Sequence, residues 1–150
     1  MLKEKNTKII SGFPGIGKSC YCNNTDLNVL DSDSSNFSQI KEGVRNPEFP
    51  QNYINHIKEH IGKVDIILVS SHLSVREALA QNNITFTLVY PSRELKDQYI
   101  SRFKERGSSP QFIKLLSKNW EIFIEELENQ TKCEHIILTK GEYLSTYVKF

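Results

Sequence analysis

Five short apolar runs along the chain predict β-strands. They cover residues 8–11, 27–30, 64–69, 84–90 and 134–138. The third run is almost continuously apolar, which favours a strand buried on both faces, as in a parallel sheet. In an open parallel sheet, ligands bind beyond the carboxyl ends of the strands. Polar residues that follow these runs are therefore the first candidates for a binding site.

Between the strands, apolar residues spaced by three and four positions predict amphipathic helices. The expected helices cover about 36–46, 50–60 and 75–80, then one helix carrying Leu95, Tyr99 and Phe103, and a last one that follows Ser109. The Ser109-Pro110 pair is typical of an N-cap and a first helical position. The last helix is broadly apolar, so we expect its aromatic residues to lie in the core.

A glycine-spaced turn follows the first predicted strand. Gly12, Gly17, Lys18 and Ser19 fit the pattern G-x-x-x-x-G-K-[ST]. In such a loop the glycines let backbone N–H groups face phosphate oxygens, the lysine supplies a mobile positive charge, and the hydroxyl is a magnesium ligand. The sequence therefore predicts a phosphate-binding loop, although residues 20–24 form only a weak helix. We assign nucleotide binding to Gly12, Pro14, Gly15, Ile16, Gly17, Lys18, Ser19 and Cys20.

Carboxylates follow the second predicted strand, at Asp31 and Asp33. This position lies at the same edge of the sheet as the loop, so either carboxylate is a candidate to accept a proton from an attacking hydroxyl. Asp33 is our first candidate for this base, and Ser19 with Asp33 are our candidate magnesium ligands. The alternative is a structural role, since Asp and Ser often cap helices and form turns.

Arginines supply the remaining candidate anion-binding groups. Arg102 and Arg106 are four residues apart beside Gly107, which places two guanidinium groups on one helix face. We expect them to close over the phosphates as catalytic residues, the alternative being a solvated face paired with nearby acids. Arg45 has two alternative roles, binding of the acceptor and a solvated surface charge. Lys140 and Gly141 are weaker candidates for contact with the nucleotide base.

The segment after residue 69 departs from the usual phosphate-loop pattern. Many such enzymes place a magnesium-orienting Asp there, whereas this chain has Ser70, Ser71 and His72. Asp65 lies at the start of the same strand, hence at the wrong edge of the sheet. We expect the Ser70-Ser71-His72 segment to cap the following helix rather than to bind the metal.

Composition narrows the class of protein without identifying it. The chain has 150 residues, of which 38% are hydrophobic and 25% charged, and this predicts one globular domain. The net charge of +1 disfavours an extended nucleic-acid surface. The three cysteines lack metal-ligand spacing, and no apolar run is long enough to span a bilayer, so a cytoplasmic protein without membrane contact is expected.

With these motifs in place, the chain resembles the P-loop nucleoside and nucleotide kinase superfamily, which includes nucleoside-monophosphate and shikimate-type kinases. It also resembles small P-loop kinase-like proteins of bacteria and their phages. The resemblance rests on the loop at 12–19, the Asp31-Ser32-Asp33 cluster and the pair Arg102 and Arg106. It spans most of the chain, although the missing acid after Val69 departs from the family pattern.

The resemblance implies a three-layer α/β P-loop NTPase fold, in which a five-stranded parallel sheet of order 2-3-1-4-5 has helices on both faces. It further implies a single domain over 1–150 with a small lid around 93–110. ATP and Mg²⁺ are then the phosphoryl donor, and the acceptor is a small hydroxyl or phosphate compound, a nucleoside or nucleotide being favoured. Two alternatives stay open, a kinase acting on a polynucleotide or DNA base and a regulatory ATPase without a small acceptor.

Overall fold

A parallel β-sheet lies at the centre of the computed structural model, which describes residues 7–32, 39–41 and 44–147. The strands are β1 (Lys8–Gly12), β2 (Val29–Asp31), β3 (Gln39–Lys41), β4 (Val44–Arg45), β5 (Ile66–Ser70), β6 (Thr87–Pro91) and β7 (Glu134–Leu138). Five of them form the sheet in the order β2-β5-β1-β6-β7, with all neighbours parallel. Counted along the chain, this is the order 2-3-1-4-5, so the predicted fold class is confirmed.

Helices flank this sheet. They are α1 (Lys18–Asn24), α2 (Gln51–His60), α3 (Leu73–Gln81), α4 (Lys96–Glu105), α5 (Pro110–Glu128) and α6 (Leu144–Tyr147), and a 3₁₀ turn at Arg93–Leu95 precedes α4. The predicted N-cap of α5 is confirmed, because the Ser109 side chain accepts a hydrogen bond from the Phe112 amide at 3.2 Å. Among the helices of the described residues, none is both long and apolar enough to cross a membrane.

Strand register brings the ends of three strands to one edge of the sheet. Gly12 of β1 pairs with Ser70 of β5, and Asp31 of β2 pairs with Leu68. The polar residues that follow β1, β2 and β5 are therefore neighbours. Asp65 lies at the opposite edge, as expected from its position before β5, and its carboxylate accepts a hydrogen bond from the Asn28 amide at 2.8 Å.

An aromatic cluster joins the first strand to α4 and α5. The Phe13 ring packs edge-on against Tyr99 and Trp120, with ring centroids 5.9 and 5.7 Å apart. All three side chains are buried, and the Trp120 indole N–H donates to the Arg93 carbonyl at 2.9 Å. The start of the glycine-rich loop is thus held by the hydrophobic core. The prediction that the aromatic residues of α5 are core residues holds for Trp120.

The helix predicted over about 36–46 is wrong for the described part of that segment. Residues 39–41 and 44–45 form the antiparallel pair β3 and β4, in which Lys41 faces Val44. β-Branched residues such as Ile40 and Val44 lose side-chain freedom in a helix and fit an extended backbone well. Their spacing also matches one face of a helix, so spacing alone predicted the wrong secondary structure. Phe37, the third residue of that pattern, lies outside the described residues.

Candidate functional site

The glycine-rich loop connects β1 to α1, and its shape depends on glycine at specific positions. Gly15 and Gly17 have φ angles of 85° and 92°, a region that residues with a side chain rarely adopt. Gly12 is required for a different reason. A Cβ atom there would lie 2.7 Å from Cδ1 of Ile16 and 3.0 Å from Cδ of Lys18, so a methyl group would fit only if these two side chains moved.

The lysine of the motif reaches back across this loop. Lys18 is half-buried, and its Nζ donates a hydrogen bond to the Gly12 carbonyl at 3.1 Å. The ammonium group is thereby held beside the loop backbone. Of the other predicted nucleotide-binding residues, Ile16 is buried and Pro14 is exposed. The side chains of Ser19 and Cys20 lie outside the described part of the structure.

A cleft of about 640 Å³ opens in front of the loop. Its polar wall is built from the ends of the strands and from the loop, and its apolar wall from one face of α5. The polar wall includes Lys18, Asp31, Ser32, Ser70, Ser71 and His72, and the apolar wall consists of Phe112, Leu115, Leu116, Phe123 and Leu127. The cleft therefore offers hydrogen-bonding groups beside the glycine-rich loop. The wall opposite this loop offers a surface for a flat apolar group.

Asp31 brings a carboxylate into this cleft, as its position after β2 predicted. Among the described residues that line the cleft, the carboxylates are Asp31 and Glu126, and Glu126 is occupied by an ion pair with Arg76. Asp31 is exposed and so can meet a ligand. Asp33, the first candidate for the base, lies outside the described residues.

Ser32 contributes a buried hydroxyl group that sequence reasoning missed. The residue is 6% exposed and lines the cleft, and its Oγ has no hydrogen-bond partner among the described residues. Its backbone is fixed on both sides, because its amide donates to Leu68 at 2.9 Å and its carbonyl accepts from the Tyr53 hydroxyl at 2.6 Å. A buried polar atom without a partner is costly, so Ser32 leaves hydrogen-bonding capacity unused by the described residues at the wall of the cleft.

The segment after β5 lines the cleft with hydroxyl, imidazole and backbone groups. The Ser70 carbonyl accepts a hydrogen bond from the Ser11 hydroxyl at 2.9 Å, and the Ser70 hydroxyl accepts one from the His72 amide at 3.3 Å. The N-cap of α3 is His72, and its side chain makes no capping hydrogen bond. The capping role expected for this segment is thus limited to a turn made by Ser70.

A buried arginine forms part of the cleft wall, and no local sequence pattern indicated it. Arg76 of α3 is 1% exposed, and its guanidinium donates to the Ser71 carbonyl at 2.7 Å. It also donates to Glu126 of α5 at 2.6 Å and to Gln130, which follows that helix, at 2.7 Å. These bonds satisfy the buried charge and fix the polar wall to the apolar wall.

The two predicted lid arginines open onto different pockets. Arg106, the C-cap of α4, lines the large cleft with its guanidinium 5.4 Å from the Phe103 ring. Arg102 instead donates to the Gly15 carbonyl at 2.9 Å and lies between two aromatic rings, 4.3 Å from Tyr99 and 4.4 Å from Tyr143. Its own pocket measures about 380 Å³ and is also lined by Lys140 and Gly141, the residues considered for the base.

The thiol nearest to the loop among the described cysteines is protected from ionisation. Burial raises the pKa of Cys22, the Asp31 carboxylate raises it further, and Lys18 opposes both effects. The thiolate is the reactive form of cysteine, so a raised pKa makes Cys22 less reactive. Cys22 lies within α1 and packs against the hydrophobic core.

The donor set of the cleft fits a magnesium–triphosphate complex. Mg²⁺ prefers oxygen ligands and usually keeps several waters, and the Asp31 carboxylate with the Ser70 and Ser71 hydroxyls supplies oxygen atoms. Lys18 supplies the positive charge that phosphates need.

In comparisons with known proteins, no protein-family model matches this chain and no curated protein matches it.

Proposed function

We propose that the protein transfers the γ-phosphoryl group of ATP to a hydroxyl or phosphate oxygen of a small acceptor, a nucleoside or nucleotide fitting best. The observation that carries this proposal is the shared wall of the cleft. Gly12 and Lys18 of the glycine-rich loop line the same cavity as Asp31 and the Ser32 hydroxyl, which has no partner in the described part of the chain. A donor held by the loop and an acceptor held by the cleft would therefore meet within one site.

Phosphoryl transfer mainly requires positioning of the reactants and neutralisation of the phosphate charge, and residues of the cleft are assigned to these roles. Lys18 binds the β- and γ-phosphates together with the loop backbone, and Arg106 faces them across the cleft. The acceptor oxygen bonds to the γ-phosphorus while the bond to the bridging oxygen of ADP breaks. The proton of an acceptor hydroxyl passes to Asp31 or Asp33. Mg²⁺, held by Ser19 and an acidic side chain, would neutralise part of the phosphate charge.

The size and surface of the cleft favour a small acceptor. A volume of about 640 Å³ lies in the range of small-molecule sites. Phe112 and Leu115 present an apolar surface on which a nucleobase or another planar group can pack, while Ser32 offers a hydroxyl for orientation. A polynucleotide acceptor would need a longer basic surface, which a net charge of +1 disfavours.

The test is incubation with Mg-ATP and a metabolite extract, followed by mass spectrometry for compounds that gain one phosphate. We expect such a product with the wild-type protein, none with Lys18→Ala, and a wild-type amount with Lys63→Ala. Lys63 is an exposed lysine at the opposite edge of the sheet, so it controls for charge removal alone. Asp31→Asn and Asp33→Asn then identify the base, because the variant that lacks it should bind ATP without transferring phosphate.

Other outcomes would overturn the proposal. Labelling of an oligonucleotide but of no mononucleotide, with activity that falls steeply with salt, would show a polynucleotide kinase. Slow ATP hydrolysis with no phosphorylated product in any extract would show an ATPase without a small acceptor. Equal product from wild type and Lys18→Ala would show that the phosphate loop does not take part.

A further inference from the structure

Three metal-ligating side chains lie together on α2, outside the cleft. His56, Glu59 and His60 occupy positions i, i+3 and i+4 of this helix, so they share one face. One ligand atom from each lies within 4.8 Å of the others. The same helix is anchored in the core by Tyr53, Ile54 and Ile57, which holds the three side chains on a rigid support.

The hydrogen bond of His60 sets its ring in a metal-binding form. Its Nδ1 lies 2.8 Å from the His56 carbonyl oxygen, and a carbonyl only accepts hydrogen bonds. In the neutral ring the proton must therefore be on Nδ1, which leaves the lone pair on Nε2. Histidine ligands in metal sites are commonly oriented in this way, by an N–H bond from the other ring nitrogen to a carbonyl or carboxylate.

The imidazoles of His56 and His60 are the nitrogen donors of this cluster. The two rings are close, with centroids 4.6 Å apart and planes at 55°. Two imidazoles at this distance repel each other when protonated, whereas a shared cation would attract both lone pairs.

The geometry needs only side-chain rotation to form a coordination shell. Zinc binds imidazole nitrogen and carboxylate oxygen at about 2.0–2.2 Å in a tetrahedron, so its ligand atoms lie roughly 3.3 Å from one another. One ligand atom of each residue already lies within 4.8 Å of the others, so these atoms must approach by about 1.5 Å, which rotation of partly exposed side chains allows. Three protein ligands leave one position for water.

We propose that His56, Glu59 and His60 form a surface site for a divalent transition-metal ion, for which Zn²⁺ is the best match. Two nitrogen donors favour zinc over magnesium, which prefers oxygen. The site lies near the end of α2 that leads towards the start of β5, whereas the cleft lies beyond the end of that strand. The site is therefore separate from any magnesium bound with a nucleotide, and it stands whether or not the protein is a kinase.

Calorimetric titration of the chelator-treated protein with Zn²⁺, without nucleotide, tests this site. We expect one equivalent to bind to the wild type, and the affinity to fall about tenfold or more in His56→Ala and in His60→Ala. These side chains are at least partly exposed on a helix, so the variants should keep the circular dichroism spectrum of the wild type. Glu59→Gln should weaken binding less, because an amide oxygen still reaches the ion.

The matched control is the other close pair of soft ligands, Cys133 and His135, whose Sγ and Nε2 atoms lie 3.6 Å apart. Cys133→Ser and His135→Ala should leave the zinc affinity unchanged. Loss of binding in these variants, or unchanged binding in both His56→Ala and His60→Ala, would overturn the proposal. Affinity should also fall as the pH is lowered from about 7.5 to 5.5, since protons compete for the imidazoles. A pH-independent affinity would contradict histidine ligation.

Discussion

At the scale of single residues, Ser32 is a position where a substitution should affect stability and ligand binding differently. Its buried hydroxyl has no partner among the described residues, so the folded protein carries its desolvation cost. We expect Ser32→Ala to leave the free energy of unfolding unchanged or to raise it by about 1 kcal/mol. The same change should raise the KM for the acceptor about three- to tenfold, the usual value of one hydrogen bond.

Urea denaturation and steady-state kinetics measure these two effects, and Ser117→Ala on α5 is the matched control because Ser117 does not line the cleft. A loss of 1 kcal/mol or more in Ser32→Ala would show that the hydroxyl has a stabilising partner in the free protein. An unchanged KM would show that the acceptor does not contact it.

Substitution of Arg76, in contrast to that of Ser32, should destabilise the protein. Arg76→Met keeps most of the side-chain volume but removes a buried charge and its three hydrogen bonds, so we expect the free energy of unfolding to fall by about 3 kcal/mol. Glu126→Gln should cost only about 1 kcal/mol, since the Glu126 side chain is 40% exposed and the amide oxygen still accepts.

Arg93→Met is the control for removing an arginine ion pair in general. Arg93 is paired with Glu121 and Glu128, but its side chain is 45% exposed, so water replaces the lost partners. Urea denaturation should rank Arg76→Met as the most damaging of the three changes. Equal losses in the two arginine variants would mean that burial is not the cause.

At the scale of elements, the turn between β1 and α1 depends on close contact at Gly12. In Gly12→Ala the new methyl group would meet Cδ1 of Ile16 at 2.7 Å and Cδ of Lys18 at 3.0 Å, so both side chains must shift, and because Lys18 is displaced we expect ATP affinity to fall about tenfold. Ile16→Val removes that Cδ1 atom at a cost of about 1 kcal/mol in stability. The double variant should therefore regain part of the ATP affinity.

Calorimetric titration with Mg-ATP measures the affinity of the wild type, both single variants and the double variant. Recovery in the double variant would assign the loss to this one contact. A double variant as weak as Gly12→Ala would place the cause elsewhere in the loop.

The elements also show where a sequence pattern is sufficient and where it is ambiguous. The strand β7 matches its predicted bounds, because an isolated apolar run between polar segments has few alternatives. The segment around Ile40 and Val44 had a spacing that fits both a helix and an extended chain, and pairing between β3 and β4 decided it. Arg102 and Arg106 were placed on one face by spacing, but the helix ends at Arg106, so they reach different pockets.

At the scale of the whole molecule, the glycine-rich loop contacts the C-terminal part of the chain. The Leu144 amide donates to the Ile16 carbonyl at 2.9 Å, and Tyr143 stacks on Arg102, which in turn binds Gly15. A ligand that fixes the loop should therefore also fix α6. The predicted lid around 93–110 includes α4, whose buried face joins this same network through Tyr99.

We accordingly expect Mg-ATP to slow amide hydrogen exchange in two segments at once, the loop at 12–19 and the helix that begins at Leu144. At about one hundred times its Kd, Mg-ATP should also raise the free energy of unfolding by about 2.7 kcal/mol. Lys18→Ala should show neither effect. Protection of the loop alone, in wild-type protein, would show that the contacts of Tyr143 and Leu144 do not couple the two segments.

The sequence by itself determined the features that depend on local order along the chain. The spacing of Gly12, Gly17 and Lys18, the cap at Ser109 and the buried character of residues 66–69 are properties of neighbouring residues, and the parallel α/β fold followed from them together with the family resemblance. Only the tertiary structure decided which polar groups lose contact with water. Ser32 is buried where β2 meets β5 and Tyr53 of α2, and Arg76 pairs with Glu126 where α3 meets α5. Both are contacts between residues distant in the sequence, which no local pattern encodes.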